Sequence, residues 1–251
     1  MKGWCTAMIV KQIAERIYLM RDAEGSGAYL IIGDERALLI DTMYGLESVR
    51  ECVEKITSLP VTLIHSHGHC DHIGGDAEFG EAYIDPKDLG VAKEHWKMVQ
   101  KENNIHSEIQ WKNFNAGETI DLGGYLLETY EVPGHTPGGL CFLSRQDRIF
   151  ITGDAISDHV WMHLEESTPL EVLIQSLRAL DPIRDAFDEV WSAHAIEKRP
   201  PSVIDELART AQEILDGKTQ EDFDYSCFRT TYKAHRFYEG DDTKVVVYQP
   251  R

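Results

Sequence analysis

His65-Ser66-His67-Gly68-His69-Cys70-Asp71-His72 packs four histidines and a carboxylate into eight residues. Neutral imidazole nitrogens beside a carboxylate oxygen form a donor set for a divalent metal ion, with zinc, iron and nickel all suited to it. Histidine is an uncommon residue, so a tract of this density is a compositional sign of a metal site. The competing reading is a surface loop that has gathered polar residues by chance.

Donors of this kind work only if the backbone brings them to one point. The run just before them, Val61-Thr62-Leu63-Ile64, is short, apolar and β-branched, and it predicts a buried strand ending where the polar cluster begins. The carboxyl ends of strands are where crevices form in open α/β sheets. Gly68, Gly74 and Gly75 allow the tight turns that convergence needs.

Further strand ends carry similar signals. The strand expected over Tyr125–Val132 runs into Pro133-Gly134-His135-Thr136-Pro137-Gly138-Gly139, where turn formers crowd around one histidine. Ile149–Thr152 leads into Gly153-Asp154, and Glu189–Ser192 ends at Ala193-His194.

His67-x-His69-x-Asp71-His72 matches the H-x-H-x-D-H signature of the metallo-β-lactamase superfamily. Gly134-His135-Thr136, Gly153-Asp154 and His194 resemble its later motifs. The resemblance covers about residues 8–216. It implies that His67, His69 and His135 bind one metal, that Asp71, His72 and His194 bind a second, and that Asp154 bridges the two. It implies two zinc ions per chain, with iron or manganese as substitutes. It also implies that Asp41, at the end of Leu38-Leu39-Ile40, supports a ligand histidine from behind. From local sequence alone Asp41 reads equally well as a turn cap.

The remaining elements fit an α/β chain. Three apolar runs between Met8 and Met43 predict a β-meander, and apolar spacing predicts an amphipathic helix over Leu46–Leu59. A strand at Ala82–Ile84 and a helix from about Pro86 to Gln100 follow. Leu140–Leu143 is a further strand, and Leu170–Leu180 and Ser202–Leu215 have helical spacing. With the resemblance, this order implies a four-layer αββα sandwich of the metallo-β-lactamase type. The expectation is a single domain over 1–251, with a less regular segment 217–251 packed on it and an edge strand at Lys244–Tyr248.

Pocket residues are read from position. Lys101–Phe114 is polar and carries Trp111 and Phe114, which makes it a candidate lid or wall for the substrate pocket, the alternative being a plain surface connection. His159, Trp161 and His163 follow Asp154 closely and are expected to overhang the metals, the alternative being an ordinary loop before the helix at Leu170. Cys70 occupies a non-ligand position and reads as a small packing residue.

Bulk properties narrow the partners. A chain of 251 residues with 25 basic and 43 acidic side chains has a net charge of -18, which repels nucleic acid and anionic membrane surfaces. The first twenty residues contain Lys2, Lys11, Glu15 and Arg16, so they form no signal-peptide core, and no apolar span reaches membrane length. The five cysteines, Cys5, Cys52, Cys70, Cys141 and Cys227, have no paired spacing. Free thiols in the cytoplasm are the expectation.

The resemblance implies a dinuclear zinc hydrolase. A metal-bridging hydroxide would attack an ester, thioester or lactone of a small metabolite, and Asp71 would orient it as a catalytic carboxylate. Departures from named branches refine this. Asp154 stands where one group of secreted zinc β-lactamases has cysteine. Ala155-Ile156-Ser157-Asp158 replaces the arginine-containing stretch of glutathione thioester hydrolases, and Ser157 stands where lactonases place tyrosine. The alternatives are a mononuclear iron thiol or persulfide oxygenase and a catalytically silent metal-binding module.

Overall fold

The computed structural model describes residues 8–250; Cys5, one of the thiols counted above, lies outside them. The described chain opens with β1 (Ile9–Ala14), β2 (Ile17–Arg21), β3 (Gly27–Ile32) and β4 (Ala37–Ile40), each antiparallel to the next. The expected meander thus holds one strand more than its three apolar runs. Ile17-Tyr18-Leu19-Met20 is enclosed by Arg16 and Arg21 and reads as part of a charged turn, yet Ile17 and Met20 are fully buried.

After β4, α1 (Val49–Ile56) begins at Ser48, whose hydroxyl accepts the Glu51 N–H at 3.0 Å. The cap explains why the helix starts after Leu46, which is 54% exposed. The chain returns as β5 (Val61–Ile64), parallel to β4, and so completes a β-α-β unit. Next come α2 (Cys70–Ile73), a 3-10 turn at Asp76–Glu78, β6 (Glu81–Ile84), α3 (Leu89–Asn103) and β7 (Gln110–Asn113). Strands β1 to β7 form one sheet in sequence order. The hairpin β8 (Thr119–Asp121) and β9 (Leu126–Glu131) follows.

The segment 101–114 is therefore not a lid-like loop. Helix α3 runs on to Asn103 and ends at Asn104 in the left-handed region, and β7 takes up Gln110–Asn113, so only a short connection over 105–109 lies between them. Polar Gln110, Lys112 and Asn113 hide β7 from a hydropathy reading. Its sheet hydrogen bonds to β6 do not depend on them.

The chain divides between Thr129 and Tyr130 into two compact units. In the first, α1 covers one face of the sheet through Val49 and Val53, against Leu30, Leu39 and Leu63. Ala92, Trp96 and Val99 of α3 pack with Ile73 and Ile84.

The second unit contains β10 (Leu140–Ser144), β11 (Ile149–Ile151), β12 (His159–Met162), α4 (Leu170–Ala179), β13 (Glu189–Trp191) and α5 (Val203–Leu215). It closes with β14 (Phe223–Cys227), β15 (Thr230–Arg236) and β16 (Val245–Tyr248). Strand β11 pairs antiparallel with β10 and parallel with β13, and α4 and α5 bury Leu173, Leu177, Ile204 and Leu207 against Phe150 and Val190.

Two expectations for the tail are corrected. Residues after 217 form three of the four strands in a sheet ordered β12-β16-β15-β14, so the segment is regular. β16 lies inside that sheet rather than at its edge, because β12 supplies a parallel partner on its outer side. Among the described residues no helix is long and apolar enough to cross a membrane.

Candidate metal centre

In the first unit, the parallel pairing of β4 and β5 sets two strand ends side by side, with Ile40 opposite Ile64 and the Asp41 N–H donating to the Ile64 carbonyl at 3.2 Å. Asp41, only 1% exposed, has a φ of 65°, a left-handed conformation that aspartate tolerates better than most residues. Its carboxylate faces the histidine-rich loop. It accepts the Ser66 N–H at 2.7 Å, the Ser66 hydroxyl at 2.6 Å and the His72 Nδ1 at 2.9 Å. Burial opposes the charge on Asp41, but His72 and His65 outweigh it and hold the carboxyl below its usual range.

The loop itself is tightly determined. A Cβ on Gly68 would stand 2.6 Å from the Ala92 backbone nitrogen, so only glycine lets the loop rest on the first turn of α3. The Gly68 N–H donates to Asp88 at 3.1 Å, and the Cys70 N–H donates to His95 Nδ1 at 3.1 Å. His67, His69 and His72 are then all buried. His67 Nε2 is 3.0 Å from His69 Nδ1, and the His67 and His72 ring centroids are 3.9 Å apart. Asp71 Oδ2 stands 3.5 Å from His72 Nε2.

Two imidazolium ions at this distance in a buried site would repel strongly, whereas one shared proton or one shared cation satisfies both nitrogens. The donor set of neutral imidazoles and a carboxylate fits a divalent transition metal.

His65, which has no place in the family pattern, is buried between Asp41 and Asp76, with its Nε2 2.9 Å from Asp76. Burial disfavours its cation, but Asp76 and then Asp41 reverse the balance and raise its pKa to about 9. Asp76 also accepts the Thr42 hydroxyl at 2.8 Å and the Trp111 indole N–H at 3.2 Å. Trp111 thus lies on β7, edge-on to Trp96 with centroids 6.1 Å apart, and serves packing. Phe114 is buried, with its N–H donating to Ile84 at 2.9 Å.

In the second unit the same device recurs. Parallel β11 and β13 align Ile151 with Trp191, and Ala193 N–H donates to the Gly153 carbonyl at 3.0 Å. Gly153 takes a φ of 52°, which turns Asp154 toward His194. Asp154 Oδ2 is 3.2 Å from His194 Nε2 and 3.8 Å from His135 Nε2. The other His135 nitrogen, Nδ1, lies 2.8 Å from the Trp161 carbonyl, so it carries the proton and leaves the Nε2 lone pair turned toward the Asp154 side of the cluster, where it can ligate a metal ion.

His159, Trp161 and His163 follow the alternation of β12 onto one face of its sheet. The His159 ring is 5.2 Å from Tyr225, and desolvation and then His194 lower its pKa. Trp161 packs 5.6 Å from Phe228. His163 turns to Cys227, with Nε2 3.3 Å from Sγ, and to Tyr232. Desolvation pushes its pKa down to about 4. Within this unit, therefore, His159 lies at the Asp154 cluster and His163 lies with the tail hairpin. A cavity of about 470 Å³ opens beside His194 and His159, with Ile156, Val190 and Val203 as its apolar floor.

Sequence reasoning did not single out Ser66, Asp76, Asp88 or His95. His95 carried no local signal, because it sits on α3 and meets His69, with ring centroids 4.7 Å apart, only through packing.

A family model described as the metallo-β-lactamase superfamily matches residues 21–203. A hydroxyacylglutathione hydrolase from Synechococcus is 29% identical over 148 residues, which cover 59% of this chain and 54% of that protein. An atrochrysone carboxyl ACP thioesterase from Aspergillus fumigatus is 26% identical over 198 residues, 75% of this chain and 42% of that protein. The chain thus spans about half the length of the curated relatives it matches. Among solved structures, a metallo-β-lactamase from Pontibacter korlensis superposes with a TM-score of 0.62 at 20% identity, over 82% of this chain and 99% of that one. The mixed α/β fold class expected from the sequence is the one this likeness shows.

Proposed function

The chain belongs to the metallo-β-lactamase superfamily, and from that premise we propose that it is a metal-dependent hydrolase of small-molecule thioesters. The thioester bond is favoured over other esters and lactones because two of the matched relatives are named for thioester hydrolysis. The glutathione branch fits less well, since Ala155-Ile156-Ser157-Asp158 follows the Asp154 position without an arginine.

The observation that carries the reading is the gathering of imidazoles beside a carboxylate in each unit, with His72 Nδ1 held by Asp41 and His135 Nδ1 held by the Trp161 carbonyl. We assign His67, His69 and His135 to one ion, Asp71, His72 and His194 to another, and Asp154 to both, following the family pattern. Two zinc ions are the proposed complement. When bound, such ions supply Lewis acidity and lower the pKa of a coordinated water toward neutrality.

The chain's own residues do the rest. Asp41 holds the Nδ1 proton of His72 and the Trp161 carbonyl holds that of His135, so each ring presents Nε2 without rotating. Asp71 accepts a hydrogen bond from the attacking nucleophile and orients it. The cavity beside His194 takes the acyl group against its apolar side, formed by Ile156, Val190 and Val203. A single domain in the cytoplasm is the proposed setting.

Elemental analysis together with a hydrolysis screen of zinc-loaded protein tests the proposal. About two zinc ions per chain and turnover of acyl thioesters ahead of oxygen esters, lactones and phosphodiesters are expected. One iron per chain with thiol-dependent oxygen uptake would replace the reading with an oxygenase.

A further inference from the structure

The turn between β2 and β3, remote in sequence from every metal-ligand motif, reaches the candidate centre through one hydroxyl. Ser26 is fully buried, and its Oγ donates to Asp71 Oδ2 at 3.1 Å. We infer that Ser26 is a positioning residue for Asp71, fixing the carboxylate in the orientation that metal binding and catalysis require. The inference rests on the role proposed for Asp71 above.

The turn is built to hold that hydroxyl still. Asp22, itself 6% exposed, accepts three consecutive backbone N–H groups with one oxygen: Glu24 at 3.0 Å, Gly25 at 2.9 Å and Ser26 at 3.0 Å. Its other oxygen accepts the Tyr44 N–H at 3.2 Å, tying the turn to the loop that follows β4. The Asp22 N–H donates in turn to the Ser26 carbonyl at 3.0 Å. Ser26 therefore has a fixed backbone, a buried side chain and a carboxylate as its hydroxyl acceptor. A hydroxyl donor favours the ionised carboxylate and restricts its rotation.

A buried hydroxyl needs an acceptor, so the contact has a structural component as well. Positioning goes further: it predicts that loss of the hydroxyl changes how Asp71 holds an ion, in a protein that remains folded. Supporting groups behind metal ligands typically contribute about 10–100-fold to affinity or activity.

The test is Ser26→Ala in the full chain, with Co(II) titration followed by d–d absorption and steady-state kinetics on the best thioester. Ser48→Ala, which removes the α1 cap, is the control for stability loss alone. Expected for Ser26→Ala are roughly tenfold or weaker Co(II) binding, an altered absorption envelope, and kcat lowered about tenfold or more with KM nearly unchanged. Ser26→Thr, which keeps the hydroxyl, should restore Co(II) affinity. Wild-type affinity and kcat in folded Ser26→Ala would overturn the inference. Should the Ala variant fail to fold, a folded Thr variant with weakened Co(II) binding would overturn it, and one with wild-type binding would uphold it. If the wild-type protein hydrolyses no thioester, the proposed function fails, while the Co(II) titration still decides the role of Ser26.

Discussion

His72 Nδ1 and Asp41 Oδ2 stand 2.9 Å apart with both side chains essentially fully buried, 0% and 1% exposed. The contact joins the end of β4 to the short helix α2, which follows its parallel neighbour β5. It also fixes which ring nitrogen of His72 carries the proton, because a carboxylate cannot donate. Asp41→Asn removes the charge that stabilises this arrangement and can present an N–H instead of an oxygen. Metal affinity should fall by about 10–100-fold with the fold retained, as measured by competition with a chromogenic chelator. Unchanged affinity would reduce Asp41 to a turn cap.

Trp111 gives a contrasting case. Its indole N–H donates to buried Asp76 and its ring meets Trp96 edge-on, so its contribution is to packing. Trp111→Ala should lower stability by about 2 kcal/mol, less than a fully buried tryptophan because the side chain is half-buried. Denaturant unfolding measures that loss. KM of the residual folded enzyme should stay within about twofold, and a large KM change at unaltered stability would return Trp111 to the substrate pocket.

His163 makes a pH-dependent prediction. Desolvation favours the neutral ring and holds the folded pKa near 4 against an ordinary value of 6.5. Between these values the unfolded chain binds a proton that the folded chain refuses, so stability falls as pH drops from about 6.5 toward 4. Above that window the ring is neutral in both states and contributes no slope. His163→Gln should flatten the difference in melting temperature between pH 7 and pH 5 relative to wild type. Thermal melts at the two pH values decide it, and an identical difference in both proteins would rule out His163 as the source.

The sequence disclosed the centre more readily than the frame around it, for a physical reason. Asp41, His67, Asp154 and His194 each lie just past a short apolar strand, so the run and the residues beyond it are local signals. β12 lacks such a signal. It is only four residues long, with His159 at its start, and its partner β16 lies far along the chain. β14 and β15 carry Asp224, Lys233 and Arg236, whose charges conceal strands stabilised chiefly by backbone pairing and the small apolar cluster around Val245 and Val247. Ser26 and His95 are invisible for a further reason: each meets the centre through tertiary packing, and nothing in its neighbouring residues marks it.

Asp154 offers the sharpest test of the proposed dinuclear centre. Its Oδ2 lies 3.2 Å from His194 Nε2 and 3.8 Å from His135 Nε2, one histidine from each proposed ion's set. Two cations a few ångströms apart repel strongly, and a shared carboxylate offsets that repulsion with its charge. Asp154→Asn preserves size and most hydrogen-bonding capacity while removing the charge. The Gly153 turn and the β11–β13 pairing that fix its backbone do not depend on the side chain, so the metal-free protein should melt within a few degrees of wild type. Bound zinc should fall from about two ions toward one, and kcat should drop at least about a hundredfold, beyond what supporting residues alone contribute. An Asn variant that keeps both ions and normal turnover would remove Asp154 from the bridging position and, with it, the proposed dinuclear mechanism.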